Sequence, residues 1–149
     1  MTDSDAPRSL AEKLDHLFAT VPTPEGREAS YREVADAIAN RGGPTISPSY
    51  VWQLRSGTKD NPTMKHLQAL ASYFGVDVAY FFDNTVTTRV ADELTLLDAT
   101  RDPAVRAVAL HAAGLSPDSV DLVVAVIDAA RRLEENQQPR ARRRTTRST

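Results

Sequence analysis

The sequence predicts an all-α protein, with an N-terminal helix-turn-helix bundle of about four helices followed by a C-terminal helical region. Three observations carry that expectation. Apolar residues recur at helical spacing, as in Leu67, Leu70, Ala71 and Phe74. Good N-cap residues stand immediately before such stripes, and glycine or proline follows them. No two alternating runs read as a pair of strands.

The elements follow in order. Residues 1–8 are polar and expected to be disordered. Ser9 and Glu12 form a capping box ahead of Leu10, Leu14, Leu17 and Phe18, and the run from Val21 to Gly26 ends that helix. Ser30 and Glu33 repeat the box before Tyr31, Val34, Ala35 and Ile38. Asn40-Arg41-Gly42-Gly43-Pro44 then turns the chain. Ser47 caps a third helix with Pro48 at its first position, and Gly57 stops it. After a loop over 58–62 comes the fourth helix, closed by Gly75, and residues 76–82 are an apolar connector packed under this first domain.

The expected domain spans 9–82, and a helical dimerisation domain follows over 83–136. Val86, Val90, Leu94 and Leu97 mark one helix there, Asp102-Pro103 opens a second, and Ser116-Pro117 opens the longest, to about Asn136. In that last helix Val120, Val123, Val124, Ile127 and Ala130 spread over more than one face. A helix apolar on several sides must be covered on several sides, and a second subunit is the natural cover.

Composition excludes several functions. There is no cysteine, so disulfides and thiolate metal sites are absent, and His16, His66 and His111 are scattered without metal-ligand spacing. No apolar run reaches the roughly 18 residues of a membrane span, and the N-terminus lacks a secretory apolar region, so the expected location is the cytoplasm. No phosphate-binding glycine loop or catalytic grouping is visible, and no cofactor or small-molecule ligand is expected; the chain does not read as an enzyme. The net charge of −2 hides an asymmetry. Arg140, Arg142, Arg143, Arg144 and Arg147 crowd the tail, which is expected to be disordered over 137–149 and to attract phosphates, while the rest of the chain is acidic.

The third helix carries the functional signal. Val51 and Leu54 point inward, leaving Pro48, Trp52 and Arg55 beside Ser49, Gln53 and Ser56 on the other side. Glutamine can pair with adenine, arginine with guanine, and serine with either, so this face suits the major groove of double-stranded DNA. Ser49 and Gln53 lie where a recognition helix reads bases. Arg55, Thr58, Lys59 and Asn61 fall where backbone phosphates would be held, and Tyr31 and Arg32 could hold the other strand. Trp52 has two readings: it presses on thymine methyls or the groove wall, or it folds back over Thr63 and His66. The packing reading is slightly preferred.

Residues 47–57, Asn61-Pro62, 67–71 and Phe74-Gly75-Val76 together resemble the Cro/CI-type (Xre) helix-turn-helix regulators. Further matches make the chain similar to the EspR-like nucleoid-associated regulators of actinobacteria. They include Tyr50, residues 53–57, Ala79-Tyr80-Phe81, Glu93-Leu94, Arg101-Asp102, Val105-Arg106, Gly114-Leu115, Ile127-Asp128 and Arg131-Arg132. The resemblance covers about residues 9–135. It implies a homodimer joined through the C-terminal helices, with DNA-binding heads, transcriptional control and nucleoid association. The turn over 40–46 is longer than in ordinary Cro/CI domains, and Trp52 stands where a small residue is expected, so base specificity does not carry over. Three functions are weighed: a sequence-preferring regulator, an architectural nucleoid protein with broad binding, and an antitoxin-type protein-interaction module.

Overall fold

A computed structural model describes residues 6–137, and all regular structure among them is helical, as the sequence predicts. The helices are α1 (Leu10–Thr20), α2 (Tyr31–Asn40), α3 (Pro48–Ser56), α4 (Met64–Phe74), α5 (Asn84–Ala99), α6 (Pro103–Ala112) and α7 (Pro117–Gln137), with a 3₁₀ turn at Val78–Phe81 between α4 and α5. The arginine-rich stretch after residue 137 lies outside the described residues.

Side-chain oxygens start the helices where backbone donors would otherwise be orphaned. The Ser9 hydroxyl accepts from Glu12 N–H at 3.1 Å, and the Glu12 carboxylate accepts in return from Ser9 N–H. Ser30 and Glu33 reproduce the box on α2, while Ser47 and Thr63 cap α3 and α4. At the turn after α2, a Cβ on Gly43 would stand 2.8 Å from the Ile38 side chain, so only glycine fits this close approach.

The core gathers around α1. Leu14, Leu17 and Phe18 are fully buried against Val34 and Ile38 of α2, Val51 and Leu54 of α3, and Leu70 and Phe74 of α4. The Phe18 ring meets Tyr31 and Phe74 edge-on, with centroids 5.6 and 5.1 Å apart. The apolar connector becomes the 3₁₀ turn, which buries Tyr80 and Phe81 in the same core.

The chain divides into two units between Asp102 and Pro103, and α5 falls in the first of them, whereas the sequence expectation opens the second domain at residue 83. The cause is α5. Its small residues Thr87 and Ala91 are buried, and Val86, Val90 and Leu94 pack on the core, whereas Leu97 is exposed rather than part of that stripe. Polar groups complete the join. Tyr80 Oη donates to Lys13 O at 2.9 Å, Thr87 Oγ1 donates to Tyr80 O at 2.5 Å, and the buried Lys13 ammonium donates to Phe81 O at 3.0 Å. Burial holds the Lys13 amine below the usual lysine range, with Asp83 working against that shift.

The second unit is different in kind. Among its described residues none is buried, and Leu110, Leu115, Val120, Leu122, Val124, Val126, Ile127 and Leu133 are all exposed. A shallow apolar groove runs between Ala107, Val108, His111, Ala112, Leu115 and Val123.

The α2 cap predicts a measurable titration. Arg27 grips the Glu33 carboxylate at 3.0 and 2.5 Å, and Ser30 N–H donates to it at 2.7 Å. Those bonds, Arg27 foremost, hold the carboxyl at about 2. A depressed carboxylate stabilises the fold fully above its unfolded range, near 4.5, and that contribution fades as the pH falls towards 2. An NMR titration should therefore place the Glu33 midpoint near 2, and Arg27→Ala should move it upward. A native midpoint in the ordinary glutamate range would contradict the cap.

Candidate nucleic-acid interface

The geometry of α3 follows from its ends and its buried stripe. Ser47 is extended and its hydroxyl accepts from Tyr50 N–H at 3.1 Å, while Pro48 supplies a first residue that needs no acceptor. Gly57 ends the helix at φ +80°, a left-handed conformation that favours glycine. Val51 and Leu54 are wholly buried, which fixes the rotation of the helix about its axis. Ser49, Trp52 and Ser56 then form the exposed row at i, i+3, i+7, with the half-buried Gln53 alongside.

Trp52 does not fold back over Thr63 and His66: it is 49% exposed. Tyr50 takes the place assigned to it, meeting the His66 ring edge-on with centroids 5.1 Å apart. Two residues along a helix is about 200° of rotation, so of two aromatic residues this close only one can face α4. The phase set by Val51 and Leu54 chooses Tyr50. His66 Nδ1 is buried against it with no hydrogen-bond partner among the described residues.

Arg55 is not on the exposed row. Its guanidinium lies 4.5 Å from the Phe18 ring centroid and 5.9 Å from that of Tyr31. It donates to Asp15 through Nε at 3.0 Å and Nη2 at 2.9 Å, and through Nη1 to Glu28. Burial opposes its charge, but the bonds to Glu28 and Asp15 outweigh that and raise its pKa. Arg55, expected at the DNA backbone, here bonds Asp15 and Glu28 and ties α3 to α1 and to the segment before α2. Tyr31, expected to hold the other strand, has its half-buried ring packed against Phe18 and beside Arg55.

The loop after α3 folds back on the helix end. Lys59 N–H donates to Gln53 O at 3.0 Å, and the Ser56 and Thr58 hydroxyls are 2.9 Å apart. Thr58, Lys59 and Asn61 are thus exposed next to Gln53, and the Lys59 ammonium lies 5.3 Å from the Tyr50 ring centroid. Arg32 is exposed on the first turn of α2. Lys65 was missed by sequence reasoning. It lines a shallow groove with Gly42, Gly43, Pro44, Gln68 and Ala69, a juxtaposition made by the turn folding onto α4 and invisible in local spacing. Among the described residues no cluster of histidine and carboxylates could hold a metal ion.

This arrangement separates an arginine bonded into the bundle from a half-buried glutamine beside the exposed row. Arg55→Ala should lower the unfolding free energy by about 1–3 kcal/mol, through lost packing on Phe18 and the lost cation–π contact. Gln53→Ala should change it by less than about 0.5 kcal/mol. Urea denaturation of the two variants checks this, and equal stabilities would show that Arg55 does not hold the helix.

No family model matches the chain. Its sequence is, however, 36% identical over 126 residues to the nucleoid-associated protein EspR from two strains of Mycobacterium tuberculosis. The alignment covers 85% of this chain and 95% of that relative, so it extends through both structural units. Identity of that level over nearly the whole of both proteins establishes common descent: the chain belongs to the EspR family.

Proposed function

We propose that this chain is a sequence-preferring, DNA-binding transcriptional regulator of the Cro/CI (Xre) helix-turn-helix type, acting as a homodimer in the nucleoid of the cytoplasm. The observation that carries the reading is the exposed row Ser49, Trp52 and Ser56 with Gln53 beside it, on a helix whose opposite side is locked into the core. These groups match the hydrogen-bonding and methyl features of base edges in the major groove. Lys59, Thr58 and Asn61 supply contacts to the phosphate backbone at the end of the same helix, with Arg32 as a further cation. Pro48 sits at the helix start, where recognition helices enter deepest.

Dimerisation through α6 and α7 is the second part of the proposal. Val120, Val123, Val124, Ile127 and Ala130 lie on an α7 that buries nothing within its own unit, beside the apolar groove of Ala107, Val108 and Leu115. Isolated pieces of this size do not stay folded without a covered apolar face. A second copy of the same helices provides one, and the name of the relative, a nucleoid-associated protein, supports the broader reading of architectural DNA binding beside the regulatory one. No cofactor, small-molecule ligand or catalytic role is part of this function. Among the described residues no helix is long and apolar enough to cross a membrane.

Two experiments test these parts. Genome-wide binding of the native protein should give discrete sites, and Gln53→Ala should change which sites are occupied; hundreds of broad regions would favour the architectural reading, and an unchanged site preference would remove Gln53 as a reader. Sedimentation should show a native dimer that Val123→Asp or Ile127→Asp converts to monomer. A stable monomer, or a heterologous protein bound in place of the second copy as in an antitoxin, would contradict the homodimer.

A further inference from the structure

α3 carries a single charged side chain, and the fold takes it away from the groove-facing side. Arg55 is bonded to Asp15 and Glu28 and stacked on Phe18, and its side chain is only 18% exposed. In the major groove, guanine is most often recognised by arginine or lysine bonded to O6 and N7. No such group is available on α3. What the helix does expose is an indole, between two serines and beside a glutamine.

Those groups have a different match. The C5-methyl of thymine is the apolar feature of the major groove, and adenine N6 and N7 form the pair that a glutamine amide can hold bidentately. The half-exposed Trp52 presents an apolar ring face on this side of α3, and a methyl group is the chemical feature of a base edge that such a face can meet. Serines at Ser49 and Ser56 leave room on either side of it for a base edge. From this juxtaposition we infer that α3 selects A·T pairs, with Trp52 as the specificity-determining residue that reads thymine methyl groups and Gln53 pairing with adenine. The inference rests on the reading of α3 as a recognition helix, and it makes that reading narrower: the sites preferred by this chain have thymines under α3 and lack a required guanine there.

The test uses the full chain and duplexes selected by it from a random pool. Each thymine of the preferred duplex is replaced in turn by deoxyuridine, which removes the methyl and keeps the base pair. The native protein should lose about threefold to fivefold in affinity at one or more of these positions, the size expected for one buried methyl group. Trp52→Ala should bind the parent duplex more weakly and lose nothing further on the same replacements. Trp52→Phe should keep part of the methyl sensitivity. The half-exposed position predicts that both variants keep the native melting temperature within a few degrees. Should one fail to fold, the deoxyuridine series on the native protein still decides.

Duplex binding indifferent to every methyl deletion, or equal methyl sensitivity in Trp52→Ala, would overturn the inference while leaving DNA binding intact. A selected consensus built on guanine under α3 would also overturn it. A native chain that binds no duplex at all, or that uses Trp52 to bind another protein instead, would remove the recognition-helix reading itself.

Discussion

The pose of α3 depends on one guanidinium. Arg55 leaves the helix on the flank between the buried stripe and the exposed row, and it is caught on three sides by Phe18, Asp15 and Glu28. Phe18 is itself wedged between Tyr31 and Phe74, so the contact ties α3 to α1, α2 and α4 at once. Planarity matters here, because a flat cation can stack on a ring while its edge bonds carboxylates, which an ammonium cannot do. The pairing also has an electrostatic side. Asp15 and Glu28 are exposed carboxylates, and Arg55 offsets one of their two charges where α3 meets the rest of the bundle.

The first unit ends with a helix that a smaller bundle would not need. α5 is attached to α1 through small buried residues and through hydrogen bonds that satisfy groups otherwise stranded in the core. Lys13 supplies its ammonium to the end of the 3₁₀ turn, and Tyr80 and Thr87 link carbonyls on both sides of the join. A buried polar set of this kind is stable only when its members are paired, and pairing makes it rigid. Beyond Asp102 the logic reverses, since α6 and α7 bury nothing. The chain therefore joins a unit that is complete in itself to one whose apolar surface still needs covering.

Much of this was legible in the sequence, for reasons that are local. Ser9, Ser30 and Ser47 act on donors three residues away, so their pattern survives in one dimension. Val51 and Leu54 announce the buried side of α3 by spacing alone. The destination of Arg55 was not legible, because its partners lie 40 and 27 residues upstream and nothing near them signals an ion pair. The choice between the two readings of Trp52 was not legible either, because it turns on helical phase, which puts Tyr50 beside His66. The place of α5 was missed for a related reason. Thr87 and Ala91 are small, and small residues mark a close helix contact only when the facing helix is known.

The charge distribution bears on which kind of DNA binding the family member performs. Sequence-neutral binding draws its affinity from phosphate contacts, which require free cations along the backbone path. Here α3 uses its one cation internally, and the loop after it offers Lys59 beside the acidic Asp60. On the proposed function, a single head is thus better suited to discriminating between base edges than to holding DNA tightly. In the proposed dimer, two heads joined through α6 and α7 would change that balance, because the second head binds at the effective concentration set by the first. Weak, selective heads multiplied by assembly give occupancy that rises steeply where two half-sites stand in register and stays low elsewhere. In the proposed dimer, the exposed apolar face of the second unit would supply the affinity that the chemistry of α3 withholds.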